Sequence, residues 1–141
     1  MRHVGSYGFD VSCFHRTIVY PWLAANKLLG QPLYGISHDD PLIVGASNCR
    51  YDACVEVPAD YIPIADAKKT VIPGGLYAVS RFEGAVSEIE SFWTSLITDW
   101  LPLSDYSIDE RPSFEHFLPQ PKTGGDARVF RCDVCIPVVP D

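Results

Sequence analysis

The segment Arg50-Tyr51-Asp52-Ala53-Cys54-Val55 is matched 81 positions later by Arg131-Cys132-Asp133-Val134-Cys135-Ile136. Both segments follow the pattern R-x-D-x-C-[VI], and each is predicted to be a β-strand. A pattern that returns along the chain with its neighbours in the same order indicates a duplicated structural unit. The sequence therefore predicts a chain built from two copies of one unit.

Two further matches precede these strands in the same order. Arg2-His3-Val4-Gly5 corresponds to Arg81-Phe82-Glu83-Gly84, and residues 32–37 correspond to residues 112–117. A helix-like segment that contains a tryptophan follows each matched glycine. The order strand, helix, strand, strand predicts an α+β fold of two βαββ units with an antiparallel sheet. We expect one domain over residues 1–141, with repeat 1 at about 1–60 and repeat 2 at about 75–141.

The second copy has the more regular pattern. Apolar residues recur at helical spacing after Ser87, which together with Glu90 forms a capping-box pattern. Pro102 should end this helix because it cannot continue the backbone hydrogen bonding. Strands are predicted over residues 76–82, 113–118 and 129–138, with a loop over residues 120–126.

The first copy is less regular. Asp10 or Ser12 is expected to cap a helix that runs toward Leu29, and Pro21 should kink it because it removes one hydrogen bond. The first strand is short, over residues 1–4. A short edge strand exposes unpaired backbone groups, which favours a partner strand; both a monomer and a homodimer are open.

Composition limits the class of protein. The chain has 141 residues, 47% hydrophobic and 21% charged, with a net charge of −7 and a pI near 4.9. An acidic surface repels phosphate backbones, so we expect no direct nucleic-acid partner. No apolar run is long enough for a membrane span and none suits a signal peptide, so we expect no membrane partner and a cytoplasmic location. Five cysteines without a secretion signal indicate reduced thiols.

A series of short motifs extends over essentially the whole chain: Arg2-His3-Val4-Gly5-Ser6-Tyr7, Tyr34-Gly35-Ile36, Asp39-Asp40-Pro41, Cys49-Arg50-Tyr51-Asp52-Ala53-Cys54, Pro73-Gly74-Gly75-Leu76-Tyr77-Ala78-Val79, Trp100-Leu101-Pro102, Arg111-Pro112-Ser113-Phe114-Glu115 and Ile136-Pro137-Val138. This ordered set resembles the GyrI-like effector-binding domain. That family includes the DNA gyrase inhibitor proteins and the ligand-sensing domains of AraC-type and MerR-type multidrug regulators.

The resemblance implies two pseudo-symmetric βαββ units, with two helices flanking a central ligand groove over the sheet. It also implies a non-enzymatic module that binds small cationic, amphipathic or aromatic drug-like molecules. The sequence contains no helix-turn-helix pattern, so we expect a stand-alone sensor. Its protein partner would be a separate DNA-binding regulator or, as the alternative function, gyrase.

Glu115 is the main candidate for a ligand contact. It lies in an apolar strand beside Phe114, His116 and Phe117, and its counterpart in the first copy is Gly35. A carboxylate in such a strand must be solvated, paired, protonated or used. In multidrug-binding members of the resembling family, a glutamate on the matching strand meets the positive charge of the ligand. The alternative is a strand residue that simply faces solvent.

Aromatic side chains are expected to form the walls of the binding site, because flat π-faces attract delocalised cations. Most aromatic residues of a small domain are core residues, so each candidate also has that interpretation. The candidates besides Glu115 are Phe117, Trp93, Phe92, Tyr51, Phe14 and Tyr7.

Other chemistry is less well supported. Cys132 and Cys135 on a strand would point to opposite faces, so no metal site and no cofactor are predicted. No catalytic residue is predicted, since nucleophile and phosphate-loop motifs are absent from the sequence. A hydrolase with groove carboxylates is a further alternative; it needs a second acid near Glu115, for which Glu83, Asp39 and Asp40 are candidates.

Overall fold

Seven strands and four short α-helices run through the described residues of the computed structural model, which are 1–65, 67–118 and 129–141. The strand pairs within each half of the chain are antiparallel, which confirms the α+β class with an antiparallel sheet. The elements are β1 (Arg2–Val4), α1 (Phe9–Phe14), α2 (Tyr20–Ala25), β2 (Leu33–Ser37), α3 (Pro41–Val44), β3 (Arg50–Val55), β4 (Tyr77–Gly84), α4 (Ile89–Ser95), β5 (Tyr106–Ile108), β6 (Phe114–Phe117) and β7 (Phe130–Pro140).

The chain divides into two compact units, Met1–Ile72 and Pro73–Asp141. In the first unit, β3 lies between β1 and β2 and pairs with both. In the second unit, β7 pairs with β4 and β6, and its C-terminal part also pairs with β5. Each expected repeat falls inside one unit. The single domain, the pseudo-symmetric arrangement of the copies and the groove between them stay predictions.

Strand pairing repeats within the two units at the offsets seen in the sequence. Gly35 lies opposite Ala53 in the first unit, and Glu115 lies opposite Val134 in the second. The cross-strand pair Arg2 and Asp52 has its counterpart in Arg81 and Asp133, with nitrogen–oxygen distances of 2.8 and 2.9 Å. The duplicated residues therefore occupy equivalent positions in the ladders of the two units.

Both helical segments contain a π-helical turn shortly before a proline. His15–Val19 precedes Pro21, and Leu96–Trp100 precedes Pro102. Proline removes one backbone hydrogen bond and its ring crowds the preceding turn, so a wider turn relieves the conflict. The helical segment of the second unit ends in a 3₁₀ turn over Leu101–Leu103, as predicted from Pro102, whereas that of the first unit continues past Pro21 as α2 and its predicted kink stays a prediction.

Three expectations about helix ends are wrong. The first helical segment begins after Gly8, without a side-chain cap from Asp10 or Ser12. It ends at Ala25 rather than near Leu29, because Lys27 turns into the left-handed region and the amide of Leu28 closes onto the carbonyl of Leu23.

The capping box at Ser87 is also absent. A 3₁₀ turn over Val86–Glu88 comes before α4, and neither start has a side-chain cap bond. The amide of Glu88 instead donates to the backbone carbonyl of Ala85 at 2.9 Å. The tighter first turn thus satisfies a helix-start donor by itself.

The hydrophobic core of the second unit lies between α4 and the inner face of β4 and β7. Its strands begin and end within two residues of the predicted positions, and the predicted loop at 120–126 lies outside the described residues. The buried members of the core are Phe82, Ile89, Cys132, Val134, Ile136 and Val138.

None of the helices in the described ranges has the length and apolarity that crossing a membrane requires.

Candidate ligand-binding site around Glu115

Glu115 lies in the middle of β6, on the four-residue run that joins buried Phe114 to Phe117. The indole nitrogen of Trp93 on α4 donates a hydrogen bond to its Oε1 at 2.9 Å. Glu115 itself is only partly buried. Helix α4 and strand β6 thus hold one carboxylate between them.

The surroundings of Glu115 disfavour its charge. Burial raises the pKa of Glu115 to about 7, although the hydrogen bond from Trp93 acts in the opposite direction. None of the ion pairs found among residues 1–65, 67–118 and 129–141 involves Glu115. A desolvated carboxylate with a raised pKa and no ion pair among the described residues marks a candidate functional site.

Three predicted aromatic residues of this unit lie against its core. Phe117 contacts Phe130 with ring centroids 5.5 Å apart, and Phe92 contacts Phe82 at 5.2 Å. Trp93 packs on the same core. Of the three, only Trp93 is hydrogen-bonded to Glu115, whereas Phe92 and Phe117 support the elements that carry the pair.

The remaining predicted residues belong to the first unit. Tyr51 is buried at 3% exposure, and its hydroxyl lies 2.8 Å from Nε2 of His15. The ring of Phe14 lies 6.1 Å from that of His15. The hydroxyl of Tyr7 donates to the carbonyl of Arg50 at 2.8 Å. Tyr51 and Phe14 therefore share a cluster with His15, while Tyr7 holds the loop that precedes β3.

A comparison with known families adds to this geometry. Residues 1–139 match the GyrI-like small molecule binding domain. The chain belongs to this family.

Curated relatives carry several kinds of name. A protein of Erwinia billingiae named DNA gyrase inhibitor is 28% identical over 74% of this chain and 69% of its own length. The proposed SPbeta prophage-derived transcriptional regulator YosT of Bacillus subtilis is 25% identical over 97% of this chain and 89% of its own. A DNA gyrase inhibitor of Cronobacter sakazakii is 28% identical over 83% of this chain and 74% of its own. These relatives of the chain are thus named for different roles.

Sequence reasoning missed the polar pair in the first unit of this GyrI-like chain. Burial lowers the pKa of His15 to about 4, so the ring is neutral when it bonds to Tyr51. A Cβ at Gly35 would lie 2.1 Å from the hydroxyl oxygen of Tyr51. Gly35 is therefore required for the close approach of Tyr51. The sequence signal for this contact was the difference between Gly35 and Glu115 at one repeat position.

The same exchange is seen from the second unit. Cys132 occupies the repeat position of Tyr51; burial raises the pKa of its thiol, with a smaller contribution from the nearby Glu115 carboxylate. A small residue on β7 accompanies the large Glu115 on β6, whereas a large residue on β3 accompanies Gly35 on β2. The polar side chain is thus Tyr51 on β3 in the first unit and Glu115 on β6 in the second, and these two strands do not correspond to each other in the repeat.

The carboxylates considered for hydrolysis have other contacts. Glu83 pairs with Arg131, with 2.5 Å between Oε1 and Nε. Asp39 accepts from Arg50, which lowers the pKa of Asp39 to about 2, and Asp40 caps α3 through the amide of Leu42. No group of three or more metal-ligating side chains is found in the part of the chain that the structure describes.

Proposed function

We propose that this GyrI-like chain binds small cationic aromatic molecules and that Glu115 contacts their positive charge. The supporting observation is the carboxylate of Glu115, whose pKa burial raises to about 7 and which has no ion-pair partner in the described ranges. The natural ligand would be drug-like and amphipathic, as for the sensor domains of multidrug regulators. The chain would act by binding rather than by catalysis.

A cation resolves the electrostatic problem at Glu115. Folding has already removed water from the carboxylate in the unliganded protein. An entering cation is therefore attracted to the charge without a further desolvation cost for Glu115. The indole of Trp93 fixes Oε1 and leaves the second carboxylate oxygen for the ligand. Its π-face, with that of Phe117, would stabilise a delocalised cation.

The test is fluorescence titration with rhodamine 6G and with tetraphenylphosphonium at pH 8. Glu115→Gln keeps the shape and the hydrogen bond from Trp93 but removes the charge, so its affinity should fall about tenfold or more, equivalent to at least ~1.4 kcal/mol. Exposed Glu110 supplies the matched control: Glu110→Gln changes the net charge equally and should bind like wild type. Failure of the wild type to bind either cation, or equal binding by Glu115→Gln, would refute the proposal.

A second candidate is an interaction with gyrase. It is supported by the relatives named DNA gyrase inhibitor and by the net charge of −7, which suits a basic partner surface. A supercoiling assay with purified gyrase separates the two functions. If the protein inhibits supercoiling but binds neither test cation, the protein partner is favoured. Unchanged supercoiling at excess protein would count against this candidate.

A further inference from the structure

One edge of strand β4 faces away from its partner strand β7. Leu76 and Val138 form a hydrogen-bonded pair, since the amide of Val138 donates to the carbonyl of Leu76 at 3.1 Å. Because such pairs alternate in an antiparallel ladder, the backbone groups of Tyr77, Val79 and Arg81 point away from β7. Within the described ranges, no strand pairs with that edge of β4. The edge therefore offers donors and acceptors to an added strand.

An apolar cleft opens beside this edge. It has a volume of about 180 Å³ and is lined by Ala78, Val79 and Ser80 of β4, Ile136 of β7, and Leu96 and Trp100 of the π-helical turn. Further along β4, Phe82 fills the equivalent face and contacts Phe92. Ala78 and Ser80 are too small to do so. Trp100 is 41% exposed and Val79 is 59% exposed, so the cleft is accessible from the edge.

The charged side chains of the helical segment beside the cleft have one sign, whereas the nearby Arg81 and Arg111 are neutralised by ion pairs with Asp133 and Asp109. Residues 82–110 contain seven carboxylates and no lysine, arginine or histidine. Glu88, Glu90 and Asp99 on the helical segment beside the cleft are exposed and form no ion pair with any described residue. A basic partner would therefore be attracted and an acidic one repelled.

We propose that the β4 edge and its cleft bind an extended basic segment of another protein. The segment would add to β4 as an antiparallel or parallel strand, place one aromatic or aliphatic side chain in the cleft, and align its lysines or arginines with Glu88, Glu90 and Asp99. Main-chain hydrogen bonds to Tyr77, Val79 and Arg81 would supply affinity, and the cleft would supply specificity. This surface is independent of Glu115 and of the small-molecule proposal.

The probe is a blocked, fluorescein-labelled heptapeptide of sequence KVKFKVK, with EVEFEVE as its acidic control. Val79→Pro removes an outward N–H without removing a bond to β7, so it should weaken KVKFKVK binding about tenfold, as expected for ~1.4 kcal/mol. Val79→Thr keeps the N–H and is the matched control; it should bind like wild type. Ser80→Leu fills the cleft from the floor and should weaken binding without altering the edge.

Amide hydrogen exchange locates the peptide directly on wild-type protein. The amides of Tyr77, Val79, Arg81 and Glu83 should gain protection on binding, because they are the outward donors of β4. No binding of KVKFKVK, equal binding of EVEFEVE, or full binding by both Val79→Pro and Ser80→Leu would overturn the proposal. A wild-type dimer that Val79→Pro converts to a monomer in sedimentation would also overturn it, since the edge would then be occupied by a second copy.

Discussion

At the residue scale, the proposed site depends on one carboxylate and one indole. Burial raises the pKa of Glu115, and the N–H of Trp93 partly opposes that effect by bonding to the charged form. The sequence identified Glu115 from its apolar neighbours and from Gly35 in the other copy. It could not identify Trp93 as the partner, because a residue 22 positions away comes near only when α4 packs on the sheet.

Cation binding should therefore depend on pH around neutrality. Only the carboxylate form of Glu115 binds a cation, so affinity should rise with pH up to about tenfold per unit below pH 7 and level off above it. Trp93→Phe removes the hydrogen bond that favours the charge and should move the midpoint to higher pH. Rhodamine 6G titrations between pH 5.5 and 9 measure this midpoint. Trp100→Phe is the control, and a midpoint that Trp93→Phe leaves unchanged or lowers would exclude the assigned role.

At the element scale, the start of β4 is held by a side chain from the segment before β6. Arg111 donates to the carbonyls of Gly74 and Leu76 at 3.0 and 2.8 Å, and its guanidinium lies 4.6 Å from the ring centroid of Tyr77. Gly75, between them, has a φ of +125°. The sequence shows Pro73-Gly74-Gly75 as part of a family motif, whereas the role of Arg111 required the fold.

Gly75→Ala should destabilise the protein by about 1–3 kcal/mol. The backbone of Gly75 is in a region that L side chains avoid, and a Cβ there would lie 2.2 Å from Nη1 of Arg111. Gly74→Ala is the matched control: a Cβ on Gly74 would meet no atom within 4 Å, so its effect should stay below about 1 kcal/mol. Urea denaturation measures both, and equal losses would show that Arg111 and the turn geometry do not matter.

At the scale of the whole molecule, the proposed site reduces stability. The folded pKa of Glu115, about 7, exceeds its unfolded value of 4.5, so folding favours the protonated form. The contribution of Glu115 to the free energy of unfolding is then fully present below pH 4.5 and is lost as the pH rises to about 7. His15 contributes with the opposite sign, because its folded pKa of about 4 lies below 6.5 and stability is lost as pH falls.

The stability advantage of Glu115→Gln over wild type should therefore grow by roughly 1–3 kcal/mol as the pH rises from 5 to 8. The neutral amide never has to bury a charge, while the contribution of His15 is the same in both proteins and cancels. Urea unfolding at the two pH values measures the change. A stability difference that is the same at pH 5 and pH 8 would contradict the raised pKa.

The sequence by itself determined the duplicated strands, their approximate ends, the α+β class and the family resemblance. Periodicity, turn residues and repeated motifs are local properties, so they survive without knowledge of the fold. It also selected Glu115 as the carboxylate to examine.

Only the tertiary structure decided which side chains meet. The Trp93–Glu115 bond, the His15–Tyr51 pair over Gly35, and the cleft beside the β4 edge all join residues that are distant in the chain. Such contacts depend on how helices pack on strands, and packing is fixed by side-chain volume and by the burial of polar groups rather than by local propensity.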